Sequence, residues 1–231
     1  MSETDFDRLD RAGLNQQAVF NLDALPVEMS TELRQRFDPD RQYRQLILIG
    51  HGGRSLWDEV QAAGIRSDDP IDDFSVDAVE QWFAGQFADR RFQIVYPGET
   101  SVGLQGLGQL AGWHHASPFM VGINETWGTW YAYRVVLLAD TDILPTPPVR
   151  SASPCLSCAA KPCIAACPGK AMDDGVFVLE KCVAYRKQPA SRCRETCVAR
   201  TGCPVGTGHR YCDAQIKHCY SISMRMIERY Y

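Results

Sequence analysis

All ten cysteines of this 231-residue chain lie between Cys155 and Cys219, and none precedes them. So dense a run of thiols has two common outcomes, disulfide cross-linking or metal ligation. A disulfide scaffold goes with an export signal and a small loop-rich domain throughout. Here the chain opens on MSETDFDRLDR, acidic rather than basic-then-apolar, and the first 154 residues hold no cysteine. No apolar run approaches bilayer length. These features set an expectation of a cytoplasmic protein with no membrane partner, whose cysteines bind metal.

Spacing refines that expectation. Pro154–Gly169 reads PCLSCAAKPCIAACPG, four cysteines at C-x2-C-x4-C-x3-C with proline directly after the last. A second group, Cys193-x3-Cys197-x5-Cys203, also closes on Cys-Pro. Zinc sites favour two separated pairs. Two groups that each end in Cys-Pro instead mark a two-cluster ferredoxin module, in which the last cysteine of each group serves the other cluster. That rule gives Cys155, Cys158, Cys163 and Cys203 to one [4Fe–4S] cluster, and Cys167, Cys193 and Cys197 to a second. Cys182, between the groups in GVFVLEKCVAY, supplies the missing fourth ligand and is expected on a strand or turn. The gaps depart from regular ferredoxin spacing, so a single cluster with a structural second group stays open. Cys212 and Cys219 are left over. With Ile216 and Ser223 they recur at helical spacing and read as small buried apolar groups.

Before the cysteines the chain reads as mixed helix and strand. Strands are expected at Gln45–Ile49, Arg91–Tyr96, Phe119–Ile123 and Trp130–Leu138, the last rich in aromatic and β-branched residues. Asn124–Gly128 suits a hairpin turn. Ser55–Ala63, closed by Gly64, predicts a helix, as does Leu104–Trp113. A third helix is expected after SDDPIDD, with Ser75 as its cap. Four prolines in Ile143–Pro154 form a semi-rigid connector, which puts the domain boundary at 1–148 and 149–231. A net charge of −4 gives no electrostatic reason to expect a nucleic-acid partner.

The seam and first motif, WGTWYAYRVVLLADTDILPTPPVRSASPCLSCAAKPCIAACPGKAM, resemble the middle of the epoxyqueuosine reductases, and Cys182-Val183-Ala184-Tyr185 resembles their segment carrying the fourth ligand of the second cluster. Residues 19–26, 45–50, 69–72, 106–113 and 127–138 resemble the CblC-type cobalamin-processing chaperones. These resemblances imply an α+β fold, a nitroreductase- or CblC-like sheet-and-helix domain followed by a small ferredoxin-like module, and a corrinoid cofactor (cobalamin). Where the reductases carry Asp-Ser-Ala-Pro this chain reads Tyr96-Pro97-Gly98-Glu99-Thr100, so epoxyqueuosine reduction itself is not implied.

Outside the cysteines the candidate acids are Glu99, His114 and His115, and the candidate cofactor-facing aromatics are Trp127, Trp130 and Tyr131. Each has a plain structural alternative as a solvated carboxylate, a backbone-bonded histidine or a core aromatic. Together these features lead to the expectation of an iron–sulfur redox protein. It takes electrons from a soluble ferredoxin- or flavodoxin-type donor and passes them to a corrinoid or similar cofactor in the N-terminal domain. The alternative is a non-enzymatic electron carrier, or a cofactor-trafficking or assembly protein without a bound corrinoid.

Overall fold

The computed structural model describes residues 5–173 and 175–231. In chain order its elements are α1 (Asp7–Arg11), β1 (Gln16–Asn21), α2 (Val27–Phe37), β2 (Gln45–Gly52), α3 (Ser55–Ala63), α4 (Pro70–Gln86), β3 (Phe92–Tyr96), α5 (Leu104–Ala111), β4 (His115–Ala116), β5 (Gly122–Ile123) and β6 (Tyr131–Ala139). The cysteine-bearing part follows as α6 (Pro154–Ser157), α7 (Pro162–Ala166), α8 (Leu179–Arg186), α9 (Val198–Thr201) and α10 (Asp213–Tyr230). The fold is α+β. Among the described residues no helix is long and apolar enough to cross a membrane.

The chain divides into two compact units. The first takes the residues up to Ala111 together with Tyr131–Val149, and the second takes Gly112–Trp130 with Arg150–Tyr231. One change of unit falls between Val149 and Arg150. Gly112–Trp130, which lies before the seam, nevertheless packs with the cysteines.

The first unit is built on an antiparallel sheet of order β1-β2-β6-β3. β2 is buried along its whole length, and Ile47 pairs with Val19 on one side and Leu137 on the other. Leu46–Ile49 and Val135–Ala139 have no exposed surface. At about 1.5–3 kcal/mol for each large apolar side chain removed from water, these two strands supply the main driving force for this unit. α3 has the predicted bounds and ends on Gly64 in the left-handed region, φ 64°. α4 starts earlier than expected. Pro70 takes its first turn, where a missing N–H costs nothing, and Asp72 and Asp73 complement the helix dipole there. Ser75 is thus interior, its hydroxyl donating to the Ile71 carbonyl at 2.7 Å.

In the second unit, the strand expected at Phe119–Ile123 shrinks to β5, which pairs with β4. The expected turn is present, with Asn124 and Gly128 exchanging backbone hydrogen bonds at 3.0 Å. That turn meets a loop from the cysteine region at van der Waals range. Gly128 and Gly206 both have positive φ, 59° and 66°. A Cβ on Gly128 would lie 2.2 Å from the Val205 carbonyl oxygen, and one on Gly206 would lie 2.4 Å from the Gly128 nitrogen. Backbone therefore packs on backbone, with no space for a side chain on either residue. Gly206→Ala is expected to lower the unfolding free energy by about 1–3 kcal/mol from left-handed strain alone, before the clash is counted. An unchanged denaturant midpoint for this variant would show that the two loops do not pack this way.

Candidate functional site

The cysteine groups are organised by two short helices of the second unit, each bracketed by thiols. α7 carries Cys163 in its first turn and ends at Cys167, followed by Pro168. α9 starts after Cys197 at its N-cap and ends at Gly202, followed by Cys203 and Pro204. Proline after each closing cysteine stops the helix, because it lacks the N–H to continue it. The two helices pack against one another closely enough that a Cβ on Gly202 would stand 3.1 Å from that of Ala166. Around them Phe119, Cys163, Met172 and Ala199 form a buried cluster, with Ile164, Cys167 and Cys197 packed on it. Thiols of both groups therefore border a single apolar core.

The thiols influence one another in two sets of four. Burial, then Cys203 and Cys158, push the Cys155 thiol up. Burial, then Cys203, Cys155 and Cys158, do the same to Cys163. In the other set burial, then Cys197, Cys167 and Cys193, push Cys182 up to about 11, with Arg186 opposing. Burial, then Cys197 and Cys167, raise Cys193. Cys203 from the second group thus sits with the first three cysteines of the chain, and Cys167 from the first group sits with the later ones. Cys182 lies on α8 rather than on a strand, since LEKCVAYR is made largely of good helix formers. None of the ten cysteines is joined in a disulfide.

Among the described residues no three His, Cys, Asp or Glu side chains converge as ligands of a single metal ion. The thiolates of a cubane bond to separate iron corners, so they stand further apart than ligands sharing one ion. Four half-buried thiols with apolar walls suit such a group chemically. Burial and neighbouring thiols raise Cys155, Cys163, Cys182 and Cys193, and bound iron would supply the compensating positive charge.

Two buried arginines, which the sequence reading did not single out, hold this arrangement. Arg186 donates from Nε to the Cys193 carbonyl at 3.0 Å, from Nη1 to Ser223 Oγ at 2.9 Å, and from Nη2 to the Tyr220 carbonyl at 3.2 Å. Its guanidinium lies 5.5 Å from the Tyr220 ring centre. Arg200 donates to the Thr129 carbonyl and lies 4.5 Å from the Trp130 ring centre and 5.0 Å from that of Tyr211. Among the described residues neither makes a carboxylate ion pair. Buried cations without carboxylates are costly unless hydrogen-bonded and balanced by other negative charge. An anionic group held by the thiolates would supply that charge beside Arg186.

The other candidates are dispersed. Glu99 is exposed in the first unit. His114 is buried, and burial followed by the neighbouring His115 holds it below the usual histidine range. His115 Nε2 lies 3.2 Å from Ser151 Oγ. Trp127 packs edge-on against His209 at 4.5 Å, whereas Trp130 is fully enclosed with Tyr211 and Ile216. Tyr131 belongs to the first unit and meets Tyr133 edge-on at 6.0 Å. Cys212 occupies the N-cap position of α10 without a side-chain capping bond, and Cys219 lies half-buried on the helix. The first unit also holds a polar group that sequence did not reveal. Arg134 Nε donates to Nδ1 of the fully buried His51 at 3.1 Å, and Arg134 Nη1 reaches Asp72 at 3.3 Å. These residues come from β6, β2 and α4, and nothing in their spacing links them.

No protein-family model matches the chain, and no curated protein matches it in sequence. Solved structures do match. The epoxyqueuosine reductase of Bacillus subtilis aligns with a TM-score of 0.57 and 13% identity, over 90% of this chain and 66% of its own. An epoxyqueuosine reductase solved with a tRNA-Tyr epoxyqueuosine-modified stem loop aligns at 0.58 and 13%, over 92% and 67%. A reductive dehalogenase whose structure suggests a mechanism for B12-dependent dehalogenation aligns at 0.52 and 11%, over 94% and 33%. The chain thus shares the fold of these proteins. It spans about two thirds of the reductases' length and one third of the dehalogenase's.

Two outcomes follow from the site's electrostatics. A depressed His114 pKa means that the unfolded chain takes up a proton near pH 6.5 which the folded chain refuses. Its stabilising contribution is therefore present above that pH and lost as pH falls, and NMR titration should place its midpoint below an ordinary histidine's; a midpoint at or above it would contradict the burial. Arg186→Met should lower stability by roughly 1–3 kcal/mol through orphaned carbonyls. No change in its denaturant midpoint would mean that the guanidinium does not hold the Cys193 loop.

Proposed function

We propose that the second unit holds two [4Fe–4S] clusters, one on Cys155, Cys158, Cys163 and Cys203, the other on Cys167, Cys182, Cys193 and Cys197, and that the protein moves single electrons through them. The observation that carries this reading is the interleaving. Each set of four draws one thiol from the other group, as a two-cluster ferredoxin module requires. When bound, such groups exchange one electron each, at potentials that span roughly −700 to +450 mV with charge, hydrogen bonding and exposure. The chain's own part is to gather the thiols, shed their protons as iron binds, and exclude water with Phe119, Met172 and Ile164. Arg186 offsets the added negative charge beside the second set.

The acceptor in this reading is a corrinoid or another planar cofactor, and the donor is a soluble carrier of ferredoxin or flavodoxin type. Support for the corrinoid is the fold shared with a B12-dependent dehalogenase. The two cavities described within the first unit enclose about 240 and 420 Å³. Drug-sized ligands take roughly 300–1,000 Å³. A corrinoid is several times heavier than such ligands and fits neither. That same observation favours the second reading, a non-enzymatic electron carrier or assembly protein.

Anaerobically prepared protein should contain about eight irons and eight sulfides per chain, whereas about four of each would indicate one cluster and zinc without sulfide would refute the assignment. Cys182→Ser should remove or convert one cluster and spare the other. Retention of both would show that Cys182 is not the fourth ligand. Mixing the loaded protein with hydroxocobalamin and a reductant separates the two readings. A shifted visible spectrum supports the corrinoid acceptor, and an unchanged one, with no binding, supports the carrier.

A further inference from the structure

The largest cavity described in the second unit, about 560 Å³, is a concave surface lined by Arg192, Arg194, Arg210 and Lys217 and by two acids, Glu195 and Asp213. This local excess of positive charge stands on a chain of net charge −4. Its place is specific. Arg192 and Arg194 flank Cys193, and their loop is held by the Arg186 bond to the Cys193 carbonyl and by the Arg192 backbone N–H donating to Tyr185 Oη at 3.5 Å. The other cations come from the segment before α10 and from its first turns.

Arg210 donates to the Thr201 carbonyl and lies over the Trp130 ring, whereas the other three cations are available to a partner. Arg192 and Arg194 are exposed, and Arg192 makes no ion pair among the described residues. Arg194 holds Glu228 at 2.7 Å and Lys217 holds Glu195 at 3.0 Å, each pair with both members about half exposed. Exposed pairs of this kind are worth little, so incoming carboxylates exchange for them at small cost. A small, charge-rich, shallow surface suits electron-transfer encounters, which bury little area and rely on steering for their rate.

Resting on the iron–sulfur reading above, we propose that this basic concavity is the docking surface for an acidic one-electron carrier, and that electrons enter the protein at the set formed by Cys167, Cys182, Cys193 and Cys197. Each encounter oxidises the carrier by one electron and passes that electron to the group held by this set, with no bond made or broken. Electron transfer weakens steeply with distance, so a carrier seated on the loop that presents Cys193 is better placed for this set than one bound elsewhere. The rate should fall as salt is raised, because steering by exposed charge is screened.

The test uses the full chain loaded with iron and sulfide, with a reduced acidic flavodoxin as carrier and dithionite as a carrier-independent reductant. Two readouts are followed, binding of the flavodoxin by titration calorimetry and cluster reduction by stopped flow. In Arg192→Glu/Arg194→Glu, and separately in Lys217→Glu, binding should weaken and the second-order reduction rate should fall about tenfold or more. Reduction by dithionite and the iron and sulfide content should not change. Charge reversal at Lys161 and Lys170, outside the concavity, should leave the flavodoxin rate within about twofold. Unchanged flavodoxin binding and rate in loaded variants overturns the docking surface while the cluster reading stands. Wild-type protein that takes up no iron or sulfide overturns the cluster reading and this proposal with it. An RNA stem loop that binds wild type and not the double variant, with the flavodoxin rate unaffected, assigns the surface to nucleic acid and also overturns the proposal.

Discussion

The second unit depends on one costly arrangement, the collection of eight thiols into two half-buried sets. Burial disfavours ionisation of Cys155, Cys163, Cys182 and Cys193, and like neighbours oppose it further. That arrangement is eased only in part by Arg186 beside Cys182 and by backbone hydrogen bonds to Cys163 and Cys193. It is consistent with a bound group whose positive metal core draws the protons off, so that ligand binding and folding of this unit share a free energy. Because each set borrows a cysteine from the other group, neither group is complete alone, and α7 and α9 must pack together for either set to form.

The arginines follow from the same electrostatics. Arg186 ties the Cys193 loop to α10 through carbonyl and hydroxyl acceptors, and Arg200 ties Thr129 to the aromatic cluster of Trp130 and Tyr211. A lysine could not reproduce this, since its point charge lacks the planar fork that reaches several carbonyls and stacks on rings. The close contact of Gly128 with Gly206 completes the attachment of Gly112–Trp130 to the cysteine region. A segment that precedes the proline seam is thereby part of the cysteine-bearing unit.

The first unit is stabilised differently. Its sheet is driven by the apolar runs Leu46–Ile49 of β2 and Val135–Ala139 of β6, which are fully buried. Within this apolar setting sits the Arg134, His51 and Asp72 group, with the Asp72 carboxyl raised first by burial and lowered in part by Arg134. Identities of 11–13% to structures that share the fold show how little of this architecture needs particular side chains.

Periodicity alone was enough to identify β2, β6 and α3, since one-dimensional apolar spacing and a glycine stop act within a few residues. It misplaced the start of α4, because Pro70 and its acids outcompete Ser75 as a helix start, and it read Cys182 as strand or turn where helix propensity prevails. The cysteine spacing with two Cys-Pro closures was local enough to suggest the crossed sets. What sequence could not reveal were the contacts made by distant segments: Arg186 on the Cys193 carbonyl, Arg200 under Trp130, the glycine pair, the buried His51, and the basic concavity formed by the Cys193 loop, Arg210 and α10. Local propensity determines which element a residue joins. Only packing decides which elements meet, because burial energy depends on surfaces that become neighbours in space rather than along the chain.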